Sequence, residues 1–315
     1  MKALVTGGAG FIGSHIAHRL VREGHEVVVF DNLSSGKREN LAEIGDRIRF
    51  VEADVRDRAS LEAETKDCEV VFHEAAIVSV PYSVEHPEES HDVNIVGTLN
   101  VLQAARKAGT RRVVFASSAA IYGEEPTLPK VETMLPAPVS PYGIEKLTGE
   151  YYLATWSKLF GVETVALRYF NVFGPRQDPS SPYSGVISVF GDRILAGKPI
   201  TFFGDGKQCR DFVYVENVVD ANLLAATRPG VSGRVFNVGC GARTTLLELA
   251  ALIGKTAGKS VDQKFGDPRA GDIKESVADI GSARRELGYE PKVGVAEGLE
   301  RLVAHVRAQA KPSTL

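Results

Sequence analysis

Apolar positions in the first half of the chain fall in short, nearly unbroken runs separated by stretches of helical spacing. "KALVT", "EVVVF", "IRFVEA", "EVVFHEA", "RRVVFASS" and "VETVALR" are too short for helices and too continuous for half-exposed strands. They predict strands buried on both faces. Between them, Gly13–Glu23 and Ser90–Ala108 space their apolar residues as amphipathic helices do. Strands alternating with helices predict a doubly wound α/β fold, with a parallel sheet covered on both sides. Gly123–Pro141 carries five prolines and predicts a loop. Past Arg168 the pattern loosens, and "FNVFGPRQDPSSPYSG" and "FFGDGKQCRD" have the Gly, Pro and Asp content of a lobe that covers a ligand. "RVFNVG" again reads as a strand, returning to the first sheet. The expected division is 1–170 with a return near 212–238, and a smaller α/β lobe from 171–211 and 239–315.

Composition narrows the field without naming a function. The 315 residues are 43% hydrophobic and 24% charged with net charge −3, giving no reason to expect a nucleic-acid or membrane-surface partner. Cys68, Cys209 and Cys240 are far apart and show no paired spacing, so neither a disulfide framework nor a metal site is expected. The opening "MKALVTGG" leads directly into the first strand, with no signal-peptide pattern, and no apolar run has spanning length. A cytoplasmic protein is expected.

"VTGGAGFIGSH" follows the first strand and opens a helix. Gly8, Gly10 and Gly13 fit G-x-G-x-x-G; Gly7, Gly10 and Gly13 fit G-x-x-G-x-x-G. Such glycines permit a tight turn and close backbone approach to a pyrophosphate, which the helix N-terminus then attracts. Asp31 ends the second strand at the spacing expected of a carboxylate that binds an adenosine ribose diol. It would repel a 2′-phosphate, which favours NAD over NADP, while Lys37 and Arg38 nearby keep the second cofactor open. Asp54 and Val55, in "ADV" after the third strand, are adenine-side candidates.

"VVFASSAAIYG" places Ser117 and Ser118 at the carboxyl end of a long strand, where open parallel sheets bind ligands. Across the Pro-rich loop comes "SPYGIEK". Ser140 reads as a helix cap and Pro141 as its first turn. Tyr142 and Lys146, four apart, share a helix face. A neighbouring ammonium favours phenolate, so Tyr142 is expected to serve as a base near neutral pH.

The motifs "TGGAGFIG", "SSAAIYG", "SPYGIEK", "LRYFNVFGPRQ", "GDGKQCRDFVYVENV" and "RAGDIKES" run in order along nearly the whole chain. Together they make it resemble the extended short-chain dehydrogenase/reductase family of nucleotide-sugar enzymes, and within it the UDP-sugar 4-epimerases. The resemblance implies a Rossmann domain with a nucleotide-sugar lobe, NAD as cofactor, and catalytic Ser118, Tyr142 and Lys146. Around NAD it implies Gly7, Gly10, Phe11, Ile12, Gly13, Asp31, Asn32, Ser35, Gly36, Asp54, Val55, Ala75, Ala76, Asn94, Ser117, Tyr142, Lys146 and Phe170. Near the UDP-sugar it implies Ser79, Ser118, Tyr142, Asn171, Arg210, Arg269, Asp272 and Ser276, with the two arginines toward the diphosphate and uridine. It implies no metal. It also implies a homodimer, built on the helices that begin near Ser90 and Ser140, with "GEYYLATW" supplying an aromatic surface.

Relatives of this type differ in reaction. Those that expel water carry Asp-Glu after the hydroxyl residue, and those that decarboxylate carry Glu. This chain has Ala119 and Ala120, which do no acid–base work. Epimerisation at C4 through a transient 4-keto sugar needs only the Ser, Tyr and Lys. Ser276 falls where hexose-restricted epimerases carry a bulky Tyr, so room for an N-acetyl group is expected, admitting UDP-GlcNAc/UDP-GalNAc alongside UDP-Glc/UDP-Gal. The alternatives are UDP-glucuronate 4-epimerisation and a non-catalytic sensor that binds NAD and a UDP-sugar.

Overall fold

The computed structural model describes residues 1–178, 185–267 and 274–310. Its strands are β1 (Lys2–Thr6), β2 (Glu26–Asp31), β3 (Ile48–Glu52), β4 (Val70–His73), β5 (Arg112–Ser118), β6 (Glu163–Tyr169), β7 (Asn171–Phe173), β8 (Ile200–Phe203), β9 (Cys209–Arg210), β10 (Phe212–Tyr214), β11 (Arg234–Val238), β12 (Thr244–Thr245), β13 (Gln263–Gly266) and β14 (Glu275–Ser276). The helices are α1 (Phe11–Arg22), α2 (Arg58–Glu64), α3 (Val80–Glu85), α4 (Pro87–His91), α5 (Gly97–Ala108), α6 (Pro141–Phe160), α7 (Val186–Leu195), α8 (Val215–Thr227), α9 (Leu246–Ala257) and α10 (Val295–Ala310).

Seven strands form one sheet in the order β11-β6-β5-β4-β1-β2-β3, every neighbouring pair parallel. The six apolar runs supply six of them, and "RVFNVG" returns as β11 beside β6. One layer, with α1 and α8, packs on Val5, Phe72, Val114 and Leu167. The other, with α5 and α6, packs on Leu4, Val71, Val113 and Ala166. Burial on both faces is the reason these strands read as unbroken apolar runs. The order reverses between β1 and β4, the place where an open α/β sheet leaves a crevice at its carboxyl edge.

The expected helix Ser90–Ala108 is interrupted. A π-turn at Asp92–Val96 joins α4 to α5, an insertion often found at functional sites. A second lobe contains α7, α9, α10 and small sheets that pair β8 with β13, β7 with β10, and β9 with both β12 and β14.

The two lobes share one knot. Asp211, fully buried, accepts amide protons from Cys240 (2.7 Å), Gly241 (2.9 Å) and Ala278 (3.1 Å). Beyond it Ala278, Ile280, Ala283, Leu287 and Tyr289 bury themselves in the α1–α8 layer. The core of the seven-stranded sheet thus takes in a second late segment besides 212–238.

Candidate active site

The turn after β1 is shaped for a close approach. Gly7 has φ +64°, and a Cβ there would lie 2.7 Å from the Ala75 nitrogen. A Cβ on Gly13 would lie 2.2 Å from the Gly7 carbonyl oxygen. Any larger residue would push the helix off the sheet. Gly10, the N-cap of α1, offers no side chain to cap the amides at the helix's positive end, at Phe11, Ile12 and Gly13. That open cradle fits a dinucleotide pyrophosphate.

Asp31 is buried at the end of β2 and accepts from the Ala9 amide (2.9 Å) and the Leu33 amide (2.8 Å). Burial raises its proton affinity, which those amides oppose. Gly36 lies over it, since a Cβ there would be 2.8 Å from Oδ1; Ser35 precedes it in the same loop. Asn32 donates to Asp54 at 2.7 Å, and a bidentate Arg56 with Asn32 holds the Asp54 carboxyl down at about 2. Val55 is buried beside them. The two cations that left NADP open are engaged elsewhere: Lys37 pairs with Asp178 (2.7 Å), and Arg38 pairs with Glu52 (2.8 Å) over the Phe50 ring. These neighbours fit a ribose diol better than a 2′-phosphate.

The reactive groups come from β5 and α6. Ser140 caps α6 by accepting from the Gly143 amide at 3.2 Å, with Pro141 in the first turn. The cap aims Tyr142 and Lys146 at the end of β5. Ser118 accepts from the Ala120 amide at 3.1 Å, and its hydroxyl is the polar neighbour that acts on the Tyr142 phenol. Lys146, 3% exposed, donates to the Ala116 carbonyl at 2.7 Å, its nitrogen 5.8 Å from the centre of the Tyr142 ring.

One expectation needs correcting. Tyr142 does not have a depressed pKa in the ligand-free protein: burial pushes it up to about 12, and the Ser118 hydroxyl only partly opposes this. Burial also brings Lys146 down to about 8. The i,i+4 spacing is real, but desolvation sets the direction of the shift.

Several residues expected at ligands have side chains already occupied. The Ser117 hydroxyl points away from Ser118 and donates to Glu150 at 2.5 Å. The Asn94 amide donates to Glu145 (2.6 Å) and the Ile77 carbonyl (2.9 Å), and accepts from the Ile77 amide (2.8 Å). The Ser79 hydroxyl caps α3 at the Tyr82 amide, 3.0 Å away. Ala75 and Ala76 follow β4, Ala75 abutting Gly7. Phe170 is buried next to Tyr122, while Asn171 begins β7. Arg210 and Ser276 are register partners on β9 and β14, and the Asp211 carbonyl between them and Asn171 accepts the Asn171 amide. Arg269 and Asp272 lie outside the described residues.

Two features were not anticipated. Glu150, one turn past Lys146, meets Arg168 in a buried two-pronged pair at 2.9 and 2.8 Å. Arg168 continues to the Tyr122 hydroxyl (2.9 Å), which donates to Asn237 on β11 (2.6 Å). This network clamps α6 to β5, β6 and β11. The second is Glu74, just past β4. It accepts from the Tyr169 hydroxyl at 2.9 Å, and burial pushes its carboxyl up to about 7. A charged residue ending an apolar strand at the ligand edge was the available signal for both Glu74 and Arg168.

A family model described as the NAD dependent epimerase/dehydratase family matches residues 3–239. A UDP-glucose 4-epimerase of Mycolicibacterium smegmatis is 43% identical over 99% of this chain and 100% of its own length. The crystal structure of a UDP-glucose 4-epimerase from Thermotoga maritima with UDP-glucose is 42% identical, with TM-score 0.94, covering 99% of this chain and 100% of that one. A UDP-N-acetylglucosamine 4-epimerase from Methanobrevibacter ruminantium, in complex with UDP-N-acetylmuramic acid, is 40% identical with the same TM-score, covering 98% of each.

Proposed function

The chain belongs to the NAD dependent epimerase/dehydratase family, and we propose that it is a UDP-sugar 4-epimerase interconverting UDP-glucose with UDP-galactose and UDP-N-acetylglucosamine with UDP-N-acetylgalactosamine. The observation that carries this reading is the convergence of Ser118, Tyr142 and Lys146 at the end of β5, with methyl side chains at Ala119 and Ala120. Nothing at those two positions can expel water or carry out a second proton transfer.

Bound NAD supplies the hydride acceptor and donor, leaving a 4-keto sugar between the two transfers. Gly7, Gly10 and Gly13 with the start of α1 hold its pyrophosphate, and Asp31 its adenosine ribose. Tyr142 takes the proton of the C4 hydroxyl, directly or across Ser118, and later returns it. Ser118 has one lone pair committed to the Ala120 amide, which orients its hydroxyl for the relay. Tyr142 rests as phenol, so before it can take the C4 proton it releases its own to solvent; the Lys146 ammonium is the positive charge that the protein contributes to that ionisation. Asn171 and Arg210 approach the sugar nucleotide, with Arg suited to its diphosphate. The small Ser276 beside Arg210 favours a pocket with space for an N-acetyl group. Solved structures named for UDP-glucose and for UDP-N-acetylglucosamine 4-epimerases are about equally similar to this chain, which supports a pocket that takes both sugars.

A homodimer is part of the proposal. Ile144 (52% exposed) and Tyr151 (62%) lie on the outer face of α6, with Val84 and Val96 exposed nearby. Two copies pairing these helices would cover them. A cytoplasmic location accords with three free cysteines, and no described helix is long and apolar enough to cross a membrane.

Proton NMR of the purified protein tests the reading, with UDP-glucose and UDP-N-acetylglucosamine in separate tubes and no cofactor added. Both are expected to yield their C4 epimers. Conversion of UDP-glucose alone removes the pocket argument. Silence in both tubes, persisting with added NAD, refutes the reading; conversion of UDP-glucuronate instead would transfer it to that sugar.

A further inference from the structure

Lys146 is a buried ammonium with no carboxylate in ion-pair contact among the described residues; its hydrogen bond goes to the neutral Ala116 carbonyl. A charge so placed loses its hydration and tends to shed its proton unless opposite charge faces it. Two carboxylates do. Glu145 precedes it on α6, but its oxygen receives Ser90 (2.7 Å) and Asn94 (2.6 Å) on the helix side. Glu74, just past β4, has the larger influence of the two, although its side chain bonds Tyr169 on the α1–α8 face of the sheet, opposite α6. The register explains the proximity. His73 pairs with Phe115, so Glu74 and Ala116 are the next lateral neighbours across the sheet.

Glu74 is fixed from behind. The Tyr169 hydroxyl donates to it, and the Asn222 amide donates to that hydroxyl at 2.7 Å. Of the other titratable groups, Glu150 one turn along α6 is closed in its two-pronged pair with Arg168, and His73, Tyr142 and Tyr169 carry no charge near neutral pH. Burial holds His73 down at about 3, between Thr6 and Thr98, and it raises both Tyr142 and Tyr169.

We propose that Glu74 is the counter-charge of Lys146: a positioning residue that keeps the lysine protonated through neutral pH, so that its ammonium stays available to Tyr142 and to the nicotinamide ribose. The inference rests on the role given to Lys146 above. Without the carboxylate, desolvation acts on Lys146 opposed only by Glu145, and the proton leaves at lower pH.

The test compares wild type with Glu74→Gln, which keeps the acceptor for Tyr169 and removes the charge, and with Glu74→Asp, which restores the charge. Two pH profiles are recorded from pH 6 to 9.5: kcat/KM with UDP-glucose, and the NAD dissociation constant of cofactor-stripped protein by calorimetry. In Glu74→Gln the alkaline limb of both is expected to move down by about one pH unit, a tenfold change in the lysine's proton affinity. In Glu74→Asp both should move back toward wild type. A Glu74→Gln profile that is lower in height but unmoved in pH overturns the proposal, because it assigns Glu74 to packing alone. If wild type shows no turnover, the functional reading fails, yet the NAD-affinity profile still decides whether Glu74 governs Lys146.

Discussion

Replacing Gly149 by alanine tests how closely α6 must lie on the sheet for its tyrosine and lysine to work. A Cβ at Gly149 would sit 2.5 Å from Phe115 Cζ and 2.9 Å from Cε1. Carbon atoms rest at about 3.5–4.0 Å, so about 1 Å must be found. The ring has little freedom to yield. It is 1% exposed, lies 5.7 Å from the His73 ring, and has the Lys146 nitrogen 4.9 Å from its centre. The helix is therefore expected to retreat by about 1 Å, stretching the 2.7 Å bond from Lys146 to Ala116 beyond hydrogen-bond length. Alanine contributes about 1 kcal/mol of helix propensity, while overpacking costs about 1–3 kcal/mol. The net loss is about 0–2 kcal/mol, a fall of only a few degrees in Tm for a chain of this size. Misplacing the reacting groups by 1 Å costs about 100-fold in rate. Steady-state kinetics with UDP-galactose, run beside thermal unfolding, separate the two effects. A Gly149→Ala protein with wild-type kcat refutes the reasoning.

Tyr142→Phe should lower kcat by about 10³-fold, within the range for general acid–base catalysis, with NAD affinity and Tm nearly unchanged, because the hydroxyl's polar neighbour is Ser118. Progress curves and calorimetry check this. Arg168→Met strands the buried Glu150 carboxylate and should cost about 3–5 kcal/mol in chemical denaturation; the double variant with Glu150→Gln should recover a large part. Glu74 binds its proton more tightly folded (about 7) than unfolded (4.5), so its contribution to stability is complete below pH 4.5 and is lost as pH rises through 7. Cofactor-free wild type should therefore lose stability relative to Glu74→Gln across that window, by about 3 kcal/mol. Urea denaturation at pH 4, 5.5 and 7 reads the difference, and a constant difference would contradict it.

The sheet was legible because its central strands are buried on both faces and wear that burial as runs of apolar residues; the edge strand β3 is only half-buried. The glycine turn, Asp31 and the Ser140 cap were legible because their signals are local in the chain. What the sequence hid depends on distant partners. Nothing near Glu150 points to Arg168, or beyond it to Tyr122 and Asn237. Ser79 and Asn94 have the chemistry of ligand contacts, but the Tyr82 amide and the Glu145 carboxylate already engage them. The Tyr142–Lys146 spacing was read from sequence, whereas the desolvation that raises the tyrosine is a property of the packed protein.

The knot at Asp211 bears on how this molecule can be re-engineered. Because late segments thread back through the core of the seven-stranded sheet, with β11 in the sheet and Ala278–Tyr289 beneath α8, the second lobe is not a contiguous cassette. A chimera made by a single crossover after Phe170 would bring foreign residues into the core as well as the pocket. Exchanging sugar specificity by recombination needs several seams, cut on both sides of each return, with Asp211 and its three amide donors kept from one parent.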